Sequence, residues 1–108
     1  MGRVWTYWEF DHPLGSTVRV ISTPLGLEIF TEDVFNIVAA ELNNEKIVLM
    51  NIHSQERYVV IEEEVVKIKT LNFTAINTLK TIVKADLINK FVHWVRIKIR
   101  PIFQRQYL

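Results

Sequence analysis

The stretch Thr17-Val18-Arg19-Val20-Ile21-Ser22-Thr23-Pro24-Leu25-Gly26-Leu27-Glu28-Ile29-Phe30-Thr31-Glu32-Asp33-Val34 joins two kinds of periodicity. Residues 17–23 are rich in β-branched side chains and read as a strand. Pro24-Leu25-Gly26 supplies a reversal, because proline presets φ and glycine accepts positive φ. Residues 27–30 return, so 18–22 and 27–30 are expected to form a hairpin. Thr31 stands where an N-cap is expected, with Glu32 and Asp33 in a first turn that favours carboxylates. Val34, Ile37, Val38 and Leu42 then recur at helical spacing, as do Phe35 and Ala39, until Asn43-Asn44 ends an amphipathic helix.

Upstream of this unit, residues 4–10 are aromatic and β-prone, with Trp5, Tyr7, Trp8 and Phe10. Asp11-His12-Pro13-Leu14-Gly15-Ser16 reads as a turn. Downstream, residues 46–52 and 57–69 read as strands. Glu62-Glu63-Glu64 interrupts the second; with no histidine or further acid at ligand spacing, it reads as a solvated turn or edge rather than a metal site. Asn72 or Thr74 can cap a helix whose stripe is Ile76, Leu79, Ile82 and Val83. The last helix carries Ile88, Phe91, Val92, Val95 and Ile99 on one face, with Lys90, Arg96 and Arg100 on the other. Lys98 lies at the edge of the apolar face, and Pro101 is expected to stop or kink the helix. The fold class is therefore α+β: an N-terminal β-hairpin region and further strands packed with two to three helices, ending in a basic amphipathic helix.

At 108 residues the chain fits one domain, residues 1–108. It is 49% hydrophobic and 23% charged with three glycines and three prolines, which excludes disordered or low-complexity classes. With no cysteine there is no disulfide, thiolate nucleophile or zinc finger. The longest apolar runs are far too short to span a bilayer, and no secretory signal is visible. His12, His53 and His93 are isolated, no glycine-rich phosphate loop exists, and no serine sits in a nucleophile elbow. The expectation is a protein that is not an enzyme and needs no cofactor or metal.

The formal net charge of +1 conceals polarity. Residues 1–54 hold three basic side chains against seven acidic ones; residues 55–66 hold one against four; residues 67–108 hold nine against Asp86 alone. Such a tail either attracts polyanions or is neutralised by the molecule's own acidic half. Basic and aromatic residues interleave only in residues 90–107. There Arg96 and Arg100, one turn apart, are the foremost candidates for phosphate contact, with Lys98 and Arg105 beside them and Lys90 and Arg19 as weaker ones. Phe91 and Trp94 belong with the core. The pI of about 8.0 falls short of a strongly basic binder's.

Both ends of the chain carry a pattern that resembles the BRO-N domain of phage antirepressors and baculovirus BRO proteins. In front stand Val18-Arg19-Val20-Ile21, Gly26, Phe30 and Asp33-Val34; in the middle Leu71-Asn72-Phe73-Thr74-Ala75-Ile76-Asn77-Thr78-Leu79; behind them Phe91-Val92-His93-Trp94-Val95, Ile99-Arg100-Pro101 and Tyr107. The sequence departs from the family pattern at Phe73, Ala75 and Arg100, and in a short tail after Pro101, as a divergent member would. The resemblance implies a non-catalytic, DNA-binding, antirepressor-like regulator of transcription, of prophage or virus type, acting on duplex DNA in the host cytoplasm. The alternative it implies is a module that binds and inactivates a repressor protein, or a homo-oligomeric scaffold, without DNA contact. No membrane partner is expected. Most relatives carry a further C-terminal domain, so a chain stopping at Leu108 would be a minimal member or an excised domain.

Overall fold

A computed structural model describes residues 2–38 and 53–104. The expected strand at 46–52, the end of the first helix at Asn43-Asn44, and Arg105 and Tyr107 lie outside the described residues. The elements are β1 (Val4–Trp5), β2 (Trp8–Asp11), β3 (Thr17–Thr23), β4 (Gly26–Phe30), α1 (Thr31–Val38), β5 (Gln55–Ile61), β6 (Glu64–Asn72) and α2 (Phe73–Thr78). A 3₁₀ turn (Leu79–Thr81) follows, then one long C-terminal helix in three parts: α3 (Ala85–Trp94), a π turn (Val95–Ile99) and α4 (Arg100–Gln104). The class is α+β, as expected.

The expected β3–β4 hairpin forms, with Val20 opposite Ile29 and Ser22 opposite Leu27. Gly26 has a φ of 132°, and the Thr23 hydroxyl closes the turn on the Gly26 carbonyl at 2.7 Å. The six strands run in the order β1-β5-β6-β4-β3-β2. Residues 4–10 therefore do not form one strand: β1 joins β5 in parallel at one edge, and β2 joins β3 antiparallel at the other. In a flat sheet those edges would lie about 24 Å apart, five strand spacings. Trp5 and Trp8 are three residues apart and span at most about 11 Å. The sheet must roll up, with Thr6-Tyr7 bridging its edges.

Rolling creates two apolar layers. Inside, Ile21, Phe30 and Val59 pack with Trp5, Tyr7, Ile61 and Ile68. Outside, Val18, Val20, Leu27, Ile29 and Leu71 meet Val34 and Val38 of α1, Ile76 of α2 and the stripe Ile88, Phe91, Val92, Val95, Ile99 of the last helix. That predicted stripe is buried throughout. Asn72 caps α2, its side chain accepting from the Ala75 N–H at 2.8 Å. Thr31 does not act as expected: its buried hydroxyl has no partner among the described residues.

Pro101 does not stop the helix, one of its two expected effects: the helix runs through it. A regular helix would press its ring on the Ile97 carbonyl. The π turn widens the backbone just before it, with the Arg100 N–H bonded to the Val95 carbonyl. Pro101 then falls in the first turn of α4, where a missing N–H matters least. This carries Phe103 back onto Trp8, 5.2 Å between ring centres, and Phe10, 6.1 Å.

Glu62 and Glu63 form the two-residue turn between β5 and β6, with φ of 51° and 69°. Positive φ at both positions suits Asn-Gly and strains glutamate. The Glu62→Asn/Glu63→Gly variant is expected to be more stable by about 1 kcal/mol, read as a higher urea midpoint with an unchanged slope.

Candidate nucleic-acid interface

The sequence-predicted basic residues fall into separate places. Arg19, on β3, is not free. Its Nε and Nη2 donate to the two Asp33 carboxylate oxygens at 2.9 and 2.8 Å, and its backbone N–H donates to Asp33 at 2.8 Å. Glu32 adds a longer contact at 3.4 Å, and the guanidinium lies 4.5 Å from the Phe30 ring centre. The hydrogen bond to Asp33 raises the Arg19 pKa above its ordinary value against the opposing effect of burial, with the charges of Asp33 and Glu32 adding to it. Arg19 is thereby withdrawn as a phosphate contact: it ties α1 to the inner face of the sheet. Asp33 lies in the first turn of α1 as expected and also satisfies the Arg19 N–H of β3, which β4 leaves where α1 begins.

A second part-buried pair lies on the same face. Arg57 forks onto Glu28 at 2.8 and 2.7 Å, and the Thr70 hydroxyl donates to Glu28 at 2.7 Å. Burial pushes the Glu28 carboxyl up, but the hydrogen bonds from Arg57 and Thr70, with the guanidinium charge, leave it below its usual 4.5. Held ionised and capped, it is no proton donor near neutrality. Among the described residues, no three histidines, aspartates or glutamates are grouped to hold a metal.

Lys90 is exposed but faces Asp86 one turn earlier at 3.1 Å. Arg96, Lys98 and Arg100 are exposed and have no ion pair with any described residue. They do not share one face. Lys98 points into a groove of about 430 Å³ beside Asp11, His12 and Trp94. Arg96 and Arg100 line a larger cleft of about 680 Å³ between the β3–β4 turn and the last helix. Its other walls include Leu25, Leu27, Phe73 and Phe103. These apolar residues escaped the sequence reading. The available signal was Leu25, an aliphatic side chain at the tip of a Pro-Leu-Gly turn.

His12 anchors the β2–β3 turn. Its Nδ1 accepts from the Leu14 N–H at 3.1 Å and its ring meets Trp94 edge-on, 4.6 Å between centres. Burial lowers its pKa below 6.5. A depressed histidine favours folding when neutral, so its contribution is complete above pH 6.5. It diminishes as pH falls through that value and is gone below the folded-state pKa. Urea unfolding between pH 7.5 and 5 should show this loss in the native chain and not in His12→Gln (pH values about the histidine range).

The residues that carry the resemblance at both chain ends are largely internal: Val18, Val20, Ile21, Phe30, Val34, Phe91 and Val95 are buried. No family model matches the chain, and neither the curated proteins nor the solved structures contain a match.

Proposed function

We propose that this domain is the non-catalytic nucleic-acid-binding part of a phage- or virus-type transcriptional regulator, acting on duplex DNA inside the host cell. One observation carries the reading. Arg96 and Arg100 stand one turn apart, exposed, with no carboxylate partner among the described residues. Asp33 is held by Arg19 and Glu28 by Arg57, outside the basic tail, while Glu56 and Asp86 pair with Lys67 and Lys90 of the tail and leave Arg96 and Arg100 without an ion pair among the described residues. Two guanidiniums held this way can fork onto phosphate oxygens, with Lys98 and Lys90 adding only long-range attraction.

The test is fluorescence anisotropy with a generic labelled duplex at low salt. Binding that weakens steeply as salt rises is expected; undetectable binding at low salt refutes the proposal. A second reading, in which the domain holds a repressor protein or a copy of itself, is favoured by the apolar lining beside the arginines. A stable stoichiometric complex isolated without DNA would support it.

A further inference from the structure

Phosphate contact leaves part of the cleft unused. Leu27, Phe73 and Phe103 line it with apolar surface, Pro24 and Leu25 border it, and Arg96 and Arg100 supply its charge. Leu25 is fully exposed, yet its backbone is fixed: its N–H donates to the Thr23 hydroxyl at 3.2 Å, and that hydroxyl donates to the Gly26 carbonyl. A phosphodiester backbone would meet the guanidiniums and leave Leu25 and Phe73 wet. An occupant that satisfies the whole cleft carries an anion and an apolar side chain close together. The cleft is only partly enclosed, so its occupant keeps some surface in solvent. A segment of a larger chain does so; a small ligand is usually buried over most of its surface.

We infer that the cleft takes a linear peptide segment of a partner protein. An acidic side chain pairs with Arg96 and Arg100, and a leucine- or phenylalanine-type anchor packs on Phe73 and Leu25. Because the same guanidiniums cannot fork onto carboxylate and phosphate together, the peptide displaces nucleic acid. The displacement rests on the proposed function; the peptide site rests on the cleft alone.

The ¹⁵N-labelled full chain would be titrated with an acetylated acidic peptide in which two aspartates are flanked by leucine and phenylalanine. A control peptide carries serine at both apolar positions. Amide shifts are expected at residues 23–27, at Phe73 and at residues 96–104, with the apolar peptide binding about tenfold tighter than the control. Leu25→Ser, at an exposed position outside the core, should weaken the apolar peptide about threefold and leave the control unchanged. Phe73→Ser should weaken it further. Equal affinities for the two peptides, or shifts spread over the charged surface, overturn the inference. In a second arm the apolar peptide should release bound duplex at lower concentration than the control. Failure to release it overturns the displacement. Absence of duplex binding with the peptide shifts intact overturns the nucleic-acid reading and leaves the peptide site standing.

Discussion

Asp33→Ala is expected to destabilise the domain by about 3 kcal/mol, the usual penalty for removing one partner of a buried ion pair. In a domain of this size that lowers the midpoint of thermal unfolding by roughly 12–20 °C. The carboxylate is 3% exposed and accepts three hydrogen bonds from Arg19, one of them from the backbone of β3. Its loss strands a guanidinium over Phe30 and an N–H at the point where β4 gives way to α1. Asp33→Asn keeps an acceptor and should fall between. Thermal melts followed by circular dichroism check this. A fall below about 1 kcal/mol, the range of exposed ion pairs, would mean that Asp33 does not lock the helix to the sheet.

The same pair shows where sequence reading stops. Val18, Val20, Pro24-Leu25-Gly26 and Leu27–Phe30 are legible because turn chemistry and alternation act over a few residues. Ile88, Phe91, Val92, Val95 and Ile99 are legible because one helical period repeats without interruption, and Asn72 because its cap is local. Arg19 looks like any exposed cation, since its partner lies fourteen residues away on another element. Residues 4–10 read only as β-prone because nothing local records that Trp5 and Trp8 pair with opposite sheet edges. Pro101 reads as a stop or a kink because the local rule omits the π turn before it and the contact of Phe103 with Trp8. At the candidate interface, the arginine pair was legible from helical spacing. The cleft was not, because Leu25, Phe73 and Phe103 come together only when the hairpin, α2 and the last helix are packed.

Removing both guanidiniums should have the largest functional effect. The Arg96→Ala/Arg100→Ala variant is expected to bind a generic duplex about 30-fold to 150-fold more weakly at low salt, from two charge-assisted contacts of roughly 1–1.5 kcal/mol each. Its circular dichroism spectrum and thermal midpoint should match those of the native chain, because both side chains are exposed and neither is paired with a described residue. Arg19→Ala should behave in the opposite way: a clear loss of stability, since Arg19 holds Asp33, with duplex affinity unchanged wherever the domain stays folded.

The central claim is that Arg96 and Arg100 each displace counterions from nucleic acid. The most direct test is the slope of log K against log salt for the native chain and for the double variant on the same duplex. Each neutralised phosphate contributes about 0.9, so the native slope should be steeper by about 1.8. Equal slopes, or a native chain that binds no duplex at low salt, would contradict it.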